Sequence, residues 1–303
     1  MRFRAKVAKG LCYMNKKLKN YVIVIGFILF VTTIFTCVIL YNNLNEPGDV
    51  PVIDPPDIEM PVIEEDEAEA EDIHVEPVIM ERFLNLYEQN SDLVGWVRFP
   101  GTDIDYPVVQ CDNNVFYLNH SFEKKPLSVG TPFLDAGANI LVNNNQSLSI
   151  YGHYVKIFTE LHNYKDLEYY KNHPIFEFHT IYENGIYKIF SVFYMAGNSS
   201  DELFYYYPAS NFRTDEQFMK HVKQLRTRSI FTTAVDIIPG DQLVLLTCCT
   251  YETDNLRLII AGRRLRPGEW IAVNTESARL NPQPLYPRKW YDKKGGSPPQ
   301  VMD

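Results

Sequence analysis

The sequence predicts a mainly β fold, a barrel or sandwich decorated by helices, behind one N-terminal transmembrane helix. Nine short β-rich runs crowd the chain between residues 94 and 265, and helical periodicity interrupts them in only a few places. One long uncharged apolar stretch stands apart from them near the N-terminus.

That stretch, residues 21–41 (YVIVIGFILFVTTIFTCVILY), is apolar throughout, and no charged residue occurs between Lys19 and Glu46. As a helix it would extend about 31 Å, enough for a bilayer core of roughly 30 Å. Tyr21 and Tyr41 mark its ends, where interfacial aromatics are favoured. The preceding residues 1–20 carry seven basic groups and no acid. This asymmetry keeps the N-terminus in the cytoplasm and places the rest of the chain outside the cell, on the cell membrane. A cleaved signal peptide would need a shorter apolar core and a small-x-small cleavage site, and CVILYNNLNEP offers none. The chain as a whole carries a net charge of −9, so with +7 on the first twenty residues the remaining 283 carry −16. Such a balance disfavours nucleic acid as a partner.

Residues 42–77 form an acidic, proline-rich linker that cannot build a core and is expected to be an extended, self-repelling spacer. The folded part is assigned to residues 78–266. It opens with a helical stripe of Ile79, Met80, Phe83, Leu84 and Tyr87. β-rich runs follow at 94–98, 104–109, 131–135, 139–143, 147–152, 175–181, 186–194, 242–248 and 256–265, with helical patterns at about 157–172 and 215–226. The triplet Glu183-Asn184-Gly185 is a hairpin signal. Residues 267–303 are rich in proline, glycine and charge and are expected to form a poorly ordered tail.

The chemistry centres on LVLLTCCTYETDNLR, residues 243–257. A cysteine that attacks a carbonyl must be a thiolate with a basic partner, and its oxyanion needs a cationic or hydrogen-bonding group. Cys248 and Cys249 end an apolar strand. Arg257 opens the next, and the loop between them is long enough to reverse the chain and set the two strand ends side by side. His153 follows Gly152 at the end of another strand. Each feature alone has a bland reading: a packed histidine, an inert core thiol, a solvated arginine. Their combination, each at a strand terminus in a domain almost free of cysteine, is more specific. Cys111 is expected to be a free, inert thiol. No metal constellation is evident and no cofactor is expected.

At these residues the chain resembles the class B sortases, membrane-anchored cysteine transpeptidases of Gram-positive bacteria. The resemblance rests on GWVRFPGTDIDYPVVQCDNNVFYLNHSF (95–122), GTPFLD (130–135), IYGHYVKIFTELHNYKD (150–166) and LLTCCTYETDNLR (245–257), within residues 79–266. It implies an eight-stranded sortase-type β-barrel with helical insertions, and it implies His153, a cysteine and Arg257 as the catalytic set. The cysteine is where the chain departs from the Thr-Leu-x-Thr-Cys signature. Ending it at Cys248 matches Leu245 and Thr247; ending it at Cys249 puts Cys248 where the second threonine belongs. Cys249 is favoured as the nucleophile and Cys248 is the alternative, since alternation along a strand lets only one face the groove. A vicinal disulfide between them would inactivate the enzyme. Asn114 and Tyr117 resemble positions near the substrate groove, and Thr247, beside the cysteines, is a further candidate for substrate binding. The implied partners are secreted proteins bearing a C-terminal sorting signal and an amine of a peptidoglycan precursor or cross-bridge. Two alternatives remain: a pilin-polymerising sortase, or a catalytically inactive membrane-tethered β-barrel that only binds a partner.

Overall fold

The structure is a computed structural model, and the residues described are 33, 51, 53–57, 77–141, 146–153, 156–208, 211–250 and 255–299. The expected cytoplasmic segment and, apart from Thr33, the apolar stretch 21–41 lie outside them. Among the described residues no helix is long and apolar enough to cross a membrane.

Eight strands form the frame: β1 (Leu93–Arg98), β2 (Asp105–Val109), β3 (Phe133–Leu134), β4 (Ser147–Gly152), β5 (Ile175–Thr180), β6 (Ile186–Ala196), β8 (Leu243–Thr250) and β9 (Leu256–Arg264). They pair in the order β1-β2-β3-β4-β8-β9-β6-β5, and β5 returns to β1, so the sheet closes on itself as a barrel. A two-residue strand β7 (Phe231–Thr232) pairs with β10 (Arg279–Leu280) outside that frame. Helices α1 (Glu81–Gln89), α2 (Leu167–Asn172), α3 (Asp215–Arg228) and α4 (Arg288–Lys294) decorate the sheet.

Strand alternation splits the apolar residues into two layers. Leu148 and Ile150 of β4, Val244, Leu246 and Cys248 of β8, and Leu258 and Ile260 of β9 join the main core inside the sheet. Leu243 and Leu245 of β8, with Ile259 and Ala261 of β9, face the other way and pack under Phe218, Val222 and Leu225 of α3. Both faces of β8 are therefore apolar over most of its length, which is why it reads as a continuous hydrophobic run.

Three expectations are corrected here. Residues 139–141 form no strand; the Asn139 side chain accepts the Leu141 amide at 2.9 Å and turns the chain instead. The helical pattern at 157–172 divides into a 3₁₀ segment, Thr159–Lys165, and α2, because Asp166 leaves the helical conformation to cap α2 through the Glu168 amide. The expected poorly ordered tail is built into the fold: residues 267–299 contribute β10 and α4, and Tyr286 and Trp290 pack against the main core.

Candidate active site

β4 and β8 run parallel, with Tyr151 opposite Thr247 and Gly152 opposite Cys248, so their C-terminal ends lie together. β8 and β9 are antiparallel, with Cys249 opposite Arg257. Three separate stretches of sequence thus deliver His153, Cys249 and Arg257 to one end of the sheet. All three line a groove of about 310 Å³, with Asn114, Leu118, Thr247, Phe204, Tyr206, Tyr207 and Pro208 among its other walls.

Gly152 is required where β4 ends. A Cβ there would stand 2.3 and 2.5 Å from ring carbons of Phe158, which is fully buried. The Phe158 amide in turn donates to the His153 carbonyl at 3.1 Å. The glycine therefore lets the segment after the strand fold back tightly and present His153. The imidazole Nε2 lies 2.8 Å from the Leu118 carbonyl oxygen. A carbonyl only accepts, so Nε2 carries a hydrogen, and Nδ1 is left to face the thiol.

The two cysteines differ in every physical respect. Cys248 is 1% exposed and belongs to the main core, and burial holds its thiol far above the ordinary range. Cys249, on the opposite strand face, is half-buried in the groove and hydrogen-bonded to His153. That bond lowers its pKa more than burial raises it, and Arg257 lowers it further. His153 is raised, first by the same hydrogen bond; burial and Arg257 oppose the rise. Each partner favours the charged form of the other, as a thiolate–imidazolium pair requires. Cys248, Cys249 and Cys111 are free thiols in the structure; the Cys111 thiol donates to the Asn113 carbonyl at 3.3 Å.

Arg257 shares the groove with Cys249 and hydrogen-bonds the Leu256 carbonyl at 3.2 Å. Among the described residues no carboxylate pairs with it. Thr247 lines the groove too; its buried hydroxyl has no well-formed hydrogen bond and lies next to the Tyr207 hydroxyl. Asn114 sits at the rim, donating to Asp135 at 2.9 Å and accepting the Ala136 amide at 2.7 Å. Tyr117 does not line the groove. It is 1% exposed, donates to Asp92 at 2.7 Å and accepts from Asn90 at 2.9 Å. The 3₁₀ turn Phe116–Leu118 points Tyr117 inward, and its neighbour Leu118 supplies the groove contact.

Sequence reasoning missed His162. It lies behind the strand end, with Nε2 3.8 Å from the Cys248 sulfur and 3.1 Å from the Cys249 carbonyl oxygen. It also missed the wall formed by Phe204, Tyr206, Tyr207 and Pro208. The run of aromatics at 204–207 was the available signal, but no periodicity tied it to the site.

Comparison with known proteins points the same way as the geometry. No family model matches the chain. Sortase B of Staphylococcus aureus is 27% identical over 198 residues, covering 64% of this chain and 77% of that protein. Sortase B of Listeria monocytogenes is 28% identical over 191 residues, covering 61% and 74%. Among solved structures, a Staphylococcus aureus sortase B–substrate complex aligns with a TM-score of 0.56 at 26% identity, over 62% of this chain and 86% of that one. Clostridium perfringens sortase B aligns at 0.55 and 25% identity, over 60% of this chain and 98% of that one. In sequence and in fold the chain resembles the class B sortases. The relatives, and a cysteine placed against a histidine, indicate a cysteine transpeptidase.

Proposed function

We propose that this chain is a membrane-tethered, class B-type sortase that cleaves a C-terminal sorting signal of exported proteins and passes them to an amine of the cell wall. The carrying observation is the hydrogen-bonded Cys249–His153 pair with Arg257 across from it. The sequence features that suggest the tether are the basic first twenty residues and the apolar stretch 21–41.

In this reading an extended sorting peptide lies in the groove. The Cys249 thiolate attacks a backbone carbonyl carbon, and negative charge develops on its oxygen. The Arg257 guanidinium stabilises that oxyanion. The His153 imidazolium gives its proton to the nitrogen of the scissile amide, the C–N bond breaks, and a thioester remains on Cys249. A neutral amine of a peptidoglycan precursor or cross-bridge then attacks the thioester. His153 takes up the proton of that amine, the C–S bond breaks, and the thiolate–imidazolium pair returns. Cys248, on the core side of the strand, takes no part.

The test uses Cys249→Ala and Cys248→Ala, followed by mass spectrometry of the acyl-enzyme and by turnover of sorting peptides. Cys249→Ala forms no thioester, and Cys248→Ala retains measurable turnover. The reverse result would reassign the nucleophile. A wild-type protein that neither cleaves nor becomes acylated would leave the inactive binding module as the better reading.

A further inference from the structure

Within the C-terminal tail expected to be poorly ordered, residues 267–299 are built into the fold, and their helix α4 reaches the segment that walls the candidate groove. Between β6 and α3 the chain passes through Asp201 to Pro208, and Phe204, Tyr206, Tyr207 and Pro208 of this loop line the groove. Asp201 is 6% exposed although it lies in a surface loop. Its two carboxylate oxygens accept the backbone amides of Arg288, at 2.9 Å, and Lys289, at 3.2 Å, the first two residues of α4. The same carboxylate accepts the Leu203 amide at 3.0 Å, so one side chain ties the loop to itself and to the extension. The Arg288 guanidinium also pairs with Glu202.

A second, apolar contact holds α4 against the sheet. Trp290 stacks on Tyr194 of β6 at 4.9 Å and on Tyr286 at 4.3 Å. Tyr194 is two residues from Ala196, which itself lines the groove. The attachment is thus double: hydrogen bonds to the loop, and an aromatic stack to the strand from which the loop departs. The rest of the extension is fixed independently, by the β7–β10 pairing and by Glu269 on Arg263 and Lys188.

We propose that the C-terminal extension is a specificity element: through α4 it holds residues 201–208 as the wall of the groove and so sets which extended peptides reach Cys249. This rests on the transpeptidase reading of the site, but the clamp itself does not. The loop side of the wall has its own support, since Tyr205 hydrogen-bonds His221 at 2.8 Å and lies under the Arg228 guanidinium. Loss of α4 contact therefore loosens the wall without unfolding α3 or disturbing His153, Cys249 and Arg257, none of which touches the extension in any hydrogen bond or ring contact described above.

The test compares wild type with Asp201→Ala, Trp290→Ala and the conservative Trp290→Phe, all in the full-length chain. Hydrogen exchange is read on residues 198–208, and Cys249 is labelled in parallel by iodoacetamide and by a pool of tetrapeptidyl vinyl sulfones. Iodoacetamide needs only the thiolate; the peptidyl probes need the groove. Exchange in 198–208 is expected to rise about tenfold or more in Asp201→Ala and Trp290→Ala. Labelling by the peptidyl pool falls about tenfold in both variants and its sequence preference broadens, while the iodoacetamide rate stays within about twofold. Trp290→Phe restores most of both effects, because the stack survives in part. Unchanged exchange and unchanged peptidyl labelling would overturn the proposal. So would an equal fall in both labelling rates, which would mean that the extension supports the whole fold rather than the wall. If the wild-type thiol reacts with neither probe, the transpeptidase reading fails, and the exchange data alone still decide whether α4 clamps the loop.

Discussion

Replacing Gly152 by alanine tests whether the backbone turn after β4 is what aims His153. The added Cβ would stand 2.3 and 2.5 Å from two ring carbons of Phe158. Ordinary carbon–carbon contacts lie at about 3.5–4.0 Å, so the ring or the strand must retreat by about 1 Å or more. Phe158 is fully buried and cannot swing into solvent. Overpacking of this kind costs about 1–3 kcal/mol, which for a domain of this size lowers the melting temperature by roughly 2–12 °C. The functional loss should be larger than the stability loss. Phe158 is hydrogen-bonded through its amide to the carbonyl of His153, so its retreat moves the imidazole. A displacement near 1 Å of a catalytic group can cost about a hundredfold in rate. Calorimetry gives the first quantity and peptide turnover the second. In a Phe158→Leu background the same substitution should be milder in both, because the clashing ring is gone. Wild-type melting and wild-type turnover in Gly152→Ala would refute the reasoning, as would a penalty that Phe158→Leu leaves unchanged.

Two further outcomes follow from the charges. In His153→Ala the main influence lowering the Cys249 pKa is lost, leaving burial opposed only by Arg257 and a backbone hydrogen bond, so the iodoacetamide rate profile moves to higher pH and labelling at pH 7 slows; an unmoved profile would mean that the thiol and the imidazole do not interact. Glu269, held well below the usual carboxylate range chiefly by Arg263, stabilises the fold fully above the unfolded carboxyl pKa of about 4.3, and that contribution fades as pH falls through its depressed native value. Glu269→Gln should cost about 3 kcal/mol near neutrality, because Arg263 is completely buried, and the gap to wild type should narrow below about pH 4 in denaturant titrations.

Much of the frame could be read from the sequence because it is local. β4 spans residues 147–152 as expected, and β8 and β9 fall within two residues of their expected bounds. Their apolar runs are long enough to announce buried strands, and a loop of few residues between β8 and β9 forces the antiparallel pairing that sets Arg257 opposite Cys249. What could not be read depends on distant partners. The order of residues 267–299 comes from Asp201, Tyr194 and Arg263, and the proline- and glycine-rich composition that suggested disorder carries no trace of them. Tyr117 was misplaced because a 3₁₀ turn does not alternate as a strand does, so nearness to the groove in sequence said nothing of its direction. The break at Asp166 was hidden because the apolar spacing on either side of it continues a helical stripe; only the capping role of the aspartate distinguishes the two segments.

The adjacent cysteines show how far one local rule reaches and what it leaves open. Alternation along β8 guarantees that their thiols face opposite sides, but it does not say which side is reactive. Both faces of β8 are covered at Leu243 to Leu246, one by the interior core and the other by α3. The difference arises at the end of the strand. The interior layer continues past Cys248, which stays enclosed among apolar side chains. The outer layer stops after Leu245, and Thr247 and Cys249 look into the groove instead. A thiol on the covered face is desolvated with no nearby cation strong enough to compensate, and it stays protonated. A thiol one residue later meets an imidazole and a guanidinium, and its anion is favoured. Extending the outer layer by four residues, past Thr247 to Cys249, would bury Cys249 as well, so it is the length of the α3 cover, rather than anything in the Cys-Cys pair itself, that selects the nucleophile.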